Sequence, residues 1–133
     1  MRVIAAAVLA AILSFICNRA GALLAGRGCM GIGDLARVLP VLEEALKTTC
    51  AVATGAPVIW THVVFGLIEG IYDLIFSQRS RVAVGIAGVA GHSVFGVITV
   101  AVSSITSSLS LGVIMSCLVH ILWNTWVVRD SRP

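Results

Sequence analysis

Charge is what this 133-residue chain has least of: 11% of its residues are Asp, Glu, Lys or Arg, against about 25% in an average soluble domain. Aromatic residues are scarce at 6%, with one tyrosine. The four cysteines (Cys17, Cys29, Cys50, Cys117) form no CxxC pair, and three fall in apolar spans. They read as small packing residues rather than zinc ligands or a disulfide framework. A net charge of +3 is too small to point to nucleic acid. There is no HExxH, Ser93 lacks GxSG surroundings, and no internal repeat is evident. Zincin-type and rhomboid-type sites therefore lack support.

What is there is hydrophobic: 59% of residues, with a mean hydropathy of +1.05. This composition is that of a membrane protein, and the length allows one domain at most. The expected fold is all-α, a polytopic transmembrane bundle of about five spans. Residues 1–133 form a single integral membrane domain, with a motif-bearing core at about 34–128.

Val3 to Cys17 is an unbroken apolar run, followed by Asn18, Arg19 and more apolar residues to Ala25. A cleaved signal peptide is one reading of residues 1–25. The basic residues cluster after the run, which favours a retained first helix. After the glycine-rich stretch 26–33, Asp34 reads as the N-cap of a second helix at about 35–54, with Pro40 as a kink candidate. Gly55-Ala56-Pro57 opens a third helix, Val58 to Phe76. A basic loop at 77–81 leads to a glycine-rich fourth helix at about 82–103. A serine-rich turn at 103–110 precedes a fifth at about 109–128.

Five spans put seven arginines (19, 27, 37, 79, 81, 129 and 132) on one side and Arg2 on the other. By the positive-inside rule the amino terminus is outside and the carboxyl terminus cytoplasmic. The helical rise then sets depth. Glu43 and Glu44 fall about 13 Å inside, Glu69 about 10 Å, His92 about 15 Å and His120 about 12 Å, all from the cytoplasmic side. Four helices thus hold their ionisable residues in one layer. Asn124 lies one turn below His120, Lys47 shares a face with Glu43, and His62 falls outside the layer toward the outer surface.

Two glutamates at that depth would cost about 5–7 kcal/mol on insertion scales, so pairing, water or function must compensate. A glutamate can act as general base on a water, histidine can orient that water, and a His/Asn pair can donate to an oxyanion. His92, His120 and Glu44 could instead hold zinc, with water in the fourth position.

Glu43-Glu44-x-x-Lys47 preceded by Pro40, Phe65-x-x-x-Glu69-x-x-Tyr72, His92 with Phe95-Gly96, and His120-x-x-Trp123-Asn124 resemble the ordered motifs of PrsW-type intramembrane proteases. The likeness covers about residues 38–128. The wider superfamily includes CAAX prenyl endopeptidases, CPBP proteins and a non-proteolytic gamma-secretase scaffold subunit. The resemblance implies peptide-bond hydrolysis in a membrane protein or membrane-tethered peptide. It makes Glu43 or Glu44 the base, gives His92, His120 and Asn124 the water and oxyanion, and adds Glu69 as a further polar site residue. It leaves open zinc, the choice of glutamate and a homo-oligomeric state.

Other readings use the same residues. Glu43/Glu44/Lys47 could be an ion pair that fixes packing, and His92, His120 and Asn124 hydrogen-bond glue, giving a silent scaffold subunit. Buried Glu and His also mark proton or ion pathways. Gly66-x-x-x-Gly70 reads as close helix packing. Gly31-Ile32-Gly33-Asp34 and Tyr72-Asp73 resemble the GxGD and YD motifs of aspartyl intramembrane proteases, in reversed order; capping and a near-surface position account for both aspartates.

Overall fold

The structure, a computed structural model, describes residues 1–76 and 81–130. The expected loop at 77–80 and Arg132 lie outside the described residues. Five helices follow one another: α1 (Arg2–Gly26), α2 (Ile32–Thr54), α3 (Val58–Phe76), α4 (Arg81–Thr106) and α5 (Leu109–Asp130). The fold is all-helical, and α1, α3, α4 and α5 are each long and apolar enough to cross a membrane. α2 carries Asp34, Arg37, Glu43, Glu44 and Lys47, and completes a bundle consistent with about five spans.

Burial is inverted relative to a soluble domain. Ile12, Ile16, Leu23, Ile71, Ile86 and Leu122 face outward, whereas the largest fully buried side chains include Lys47, His62, Glu44, Thr61 and Thr99. Apolar groups outside and polar groups inside suit a hydrocarbon solvent, where a polar group must find its partner within the protein. The chain is an integral, multi-pass membrane protein.

Helix ends follow local chemistry. α1 runs unbroken past Asn18 and the exposed Arg19. α2 starts earlier than Asp34: Gly31 is the N-cap, and Asp34 at the third helical position accepts the Gly31 N–H at 3.1 Å. Asp34 does cap, from inside the first turn rather than from its edge. α2 then continues through the buried Pro40. It closes with Gly55 at φ 64°, Gly55 N–H to Val52 C=O at 3.1 Å and Ala56 N–H to Ala51 C=O at 2.8 Å. That is a Schellman closure, and Pro57 stops the helix beyond it.

The expected serine-rich turn at 103–110 shrinks to Ser107 and Ser108. Thr106 Oγ1 donates to Val102 C=O at 2.7 Å, and Ser103 bonds back to Thr99 C=O in the same way. Hydroxyls that satisfy themselves on the preceding turn let α4 continue.

α1 packs through Ala6, Ala7, Ala10, Ser14 and Gly21, a small-residue stripe that lets α1 lie close to its neighbours. α3 meets α4 at a glycine seam: a methyl on Gly70 would come within 2.9 Å of Gly85 C=O, and one on Gly85 within 3.1 Å of Gly70 C=O. The Gly66/Gly70 spacing is close packing. This seam brings Glu69 and His92 together.

Candidate functional site

Each helix contributes a polar face. α2 presents Glu43, Glu44 and Lys47; α3 presents His62 and Glu69 two turns apart; α4 presents His92; α5 presents Ser116 and His120 at i, i+4 spacing. α1 adds Asn18.

The two adjacent glutamates differ sharply. Glu44 is fully buried and accepts three hydrogen bonds: from Lys47, from Ser116 Oγ at 2.6 Å and from His120 Nδ1 at 3.0 Å. Of the two glutamates that Lys47 can reach from its own helix, it pairs with Glu44. Both spacings are within reach on a helix, and the three donors converging on Glu44 decide between them. Among the described residues Glu43 accepts a single bond, from Asn18 Nδ2 to its Oε1 at 3.3 Å. Its Oε2 stands 3.9 Å from His120 Nε2. That gap exceeds a direct hydrogen bond and is one that a water can bridge.

Histidine tautomers follow from the partners. An ammonium can only donate, so His92 Nδ1, 2.9 Å from Lys47 Nζ, is an acceptor. Its Nε2 therefore carries the ring hydrogen and donates to Glu69 Oε2. Both ring nitrogens of His92 are thereby engaged, and it links Lys47 to Glu69. His120 is opposite in kind. Its Nδ1–H is held by the Glu44 carboxylate, which leaves the Nε2 lone pair directed toward Glu43. Phe95 stacks on His120 with centroids 4.4 Å apart, and Phe65 lies under the Lys47 ammonium at 4.7 Å.

Glu43, Glu69, His92, His120 and Asn124 line one cleft of about 250 Å³, with Gly88 and Gly91 on its α4 wall. Five of the six expected site residues thus meet at one cavity, and the sixth, Glu44, lies behind them.

His62 is a correction. Axial depth puts it toward the outer surface and out of the layer, yet it is fully buried with Nδ1 3.6 Å from Glu44 Oε2. Depth along a helix axis locates the Cα, whereas side chains on facing helices reach across the axial interval. A methyl on Gly96 would approach His62 Cβ to 2.8 Å, so the glycine makes room for the ring. Asp73 is half-buried and lines the cleft, while Asp34 stays exposed beside Arg37 at 3.9 Å. Two further partners have a signal in the sequence: Asn18 interrupts an apolar run, and Ser116 is one turn before His120.

Among the described residues, two sets have ligand atoms close enough to share a metal ion: Glu44, His92 and His120, and Glu43, Glu69 and His92. In the first, the Lys47 ammonium already bonds both Glu44 and His92, so a divalent ion there would sit against a fixed positive charge. The second set opens onto the cleft. Chemically, the cavity offers an underused carboxylate, an imidazole lone pair and a carboxamide around a space that can admit water. All four cysteines are free; Cys50 and Cys117 are buried, Cys17 is partly buried and Cys29 is exposed. Compared with family models, curated proteins and solved structures, the chain matches none.

Proposed function

We propose that this protein is an intramembrane peptidase of the PrsW type, hydrolysing a peptide bond in a membrane-associated polypeptide. The observation that carries the reading is the asymmetry of the glutamate pair: Glu44 accepts three hydrogen bonds, while Glu43 accepts one and faces the cleft. A carboxylate kept for packing would be satisfied like Glu44. One left with free acceptor capacity beside an imidazole lone pair suits a general base.

In this mechanism a water donates one hydrogen bond to Glu43 Oε2 and one to His120 Nε2. Glu43 takes the proton as the water oxygen attacks the scissile carbonyl carbon. The Asn124 carboxamide, lining the same cleft, donates to the developing oxyanion. The proton held by Glu43 passes to the leaving nitrogen as the C–N bond breaks. Glu44 orients His120, and Lys47 and His92 hold Glu44 and Glu69 in place. No metal is needed for these steps. The amino terminus lies outside and the carboxyl terminus in the cytoplasm, so the cleft opens toward the cytoplasmic half.

The test is cleavage of a single-span reporter by purified protein in vesicles, wild type against Glu43→Gln. Cleavage by the wild type that is lost in the variant supports the reading. Cleavage unchanged in Glu43→Gln removes Glu43 as base. A scaffold is the second reading, favoured by the chain Glu44–Lys47–His92–Glu69 being closed without a substrate. A folded wild type that cleaves no reporter, yet co-purifies with a fixed membrane partner, would decide for it.

A further inference from the structure

Two clefts flank Glu43 and Glu69, and the chemistry above occupies one. The other, about 330 Å³, lies between α1 and α3, and Glu43, Glu69 and Asp73 line both. Its volume falls within the range of ligand sites, about 300–1,000 Å³. Ala11, Phe15, Phe65, Ile68 and Tyr72 make its walls largely apolar. Phe15 and Tyr72 meet edge to face at 6.3 Å, one from each helix.

Besides the three carboxylates, two unpaired polar atoms on α1 interrupt that lining. Ser14 Oγ and Asn18 Oδ1 are buried without a hydrogen-bond partner among the described residues, and Ser14 is 3% exposed. They sit one turn apart on α1. Asn18 spends its Nδ2 on Glu43, so its free oxygen sits beside the proposed base. Unpaired polar atoms in an apolar setting are costly and call for a ligand. Lipid tails have nothing to donate. A transmembrane helix has already used its backbone N–H groups internally. An extended polypeptide has free N–H groups along its length and apolar side chains for the walls. The groove between α3 and α4, in contrast, is lined by Leu67, Ile71, Leu74, Val82, Ile86 and neighbours of the same apolar kind, and suits lipid.

We propose that the α1/α3 cleft binds an extended segment of the substrate polypeptide next to the scissile bond. Ser14 and Asn18 bond its backbone, and Phe15 and Tyr72 frame its entry from the bilayer. This rests on the peptidase reading for the scissile bond, but binding can be read without cleavage.

The experiment places the photo-crosslinker p-benzoylphenylalanine at Phe15, or at Ile86 on the α3/α4 groove as a control, in Glu43→Gln protein in phosphatidylcholine vesicles. The probes are a labelled leucine–alanine single-span peptide with a central Gly-Pro-Gly break and the same peptide unbroken. Position 15 should capture the broken peptide at least fivefold better than the unbroken one, and position 86 should not discriminate. Ser14→Ala, which keeps a small side chain, should lower capture about fivefold, as expected for one hydrogen bond. Ser14→Leu should reduce it to the level at position 86. Equal capture of both peptides, no capture at position 15, or capture indifferent to Ser14→Leu overturns the proposal. Cleavage of the broken peptide by the wild type is scored separately. Capture without cleavage retains the cleft and removes the peptidase reading; cleavage without capture does the reverse.

Discussion

Lys47 Nζ lies 2.9 Å from His92 Nδ1, and this contact between α2 and α4 fixes which nitrogen of His92 carries its hydrogen. The same ammonium bonds Glu44, so one buried lysine joins two helices and neutralises a buried carboxylate. Removing one member of a buried pair leaves an uncompensated charge. Lys47→Met should therefore destabilise by about 3–5 kcal/mol. Adding Glu44→Gln should restore most of the loss, because neither buried charge then remains. Unfolding in detergent with increasing SDS, for the two single variants and the double, measures this; additive losses would disprove the pairing.

The two glutamates should separate in assay. Glu43→Gln should lower kcat by about 10²–10⁴, the usual worth of a general base, with the melting temperature nearly unchanged. Glu44→Gln should lower the melting temperature as well, since three donors point at its carboxylate. Asn124→Ala should lower kcat by about 10²–10³ if it supplies one oxyanion donor. A stable, inactive Glu44→Gln beside an active Glu43→Gln would exchange their roles.

Five helices and a shared polar layer were legible because apolar run length and the 1.5 Å rise are local properties of the chain. Glu43, Glu44, Glu69, His92 and His120 met because each lies at a similar count from a helix end. Which partner each took was not legible. Lys47 could reach Glu43 or Glu44 from its own helix, and Ser116 and His120 on α5 made the difference. The position of His62 is not legible from axial depth alone, because facing side chains reach across an axial offset, as His62 does toward Glu44. α4 ran three residues past its expected end because back-bonded hydroxyls do not break a helix as exposed serines in a loop do.

The glycine seam should be intolerant at one place and tolerant at another. Gly70→Ala puts a methyl 2.9 Å from backbone oxygen of Gly85, and neither helix can retreat without disturbing Glu69 and His92. A loss of about 1–3 kcal/mol is expected, the range for overpacking. A methyl on Gly88 meets nothing within 4 Å, so Gly88→Ala should be neutral or slightly stabilising. Equal melting temperatures for the two variants would contradict the seam.

Topology is testable without any substrate. Seven arginines on one set of connections and one on the other predict Gly55 outside and the carboxyl terminus in the cytoplasm. A periplasm-active phosphatase fused at Gly55 should be active, and the same enzyme fused after Pro133 silent. Activity at both sites would mean an even number of crossings between them, and would leave one of α3, α4 and α5 not spanning.

Metal dependence is the remaining choice, and Lys47 bears on it directly. Its ammonium occupies the position between Glu44 and His92 that a cation would need, so peptidase activity should survive dialysis against EDTA or 1,10-phenanthroline. The second set, Glu43, Glu69 and His92, faces the cleft and includes the proposed base. Zinc bound there would take the lone pairs that the base uses, so added zinc should inhibit rather than activate. Glu69→Gln should weaken that inhibition by removing one ligand. Two results together would reverse the assignment: activity lost on chelation and restored by zinc, with Lys47→Met tightening zinc binding. That outcome would make Lys47 the placeholder for a catalytic ion and Glu44 one of its ligands.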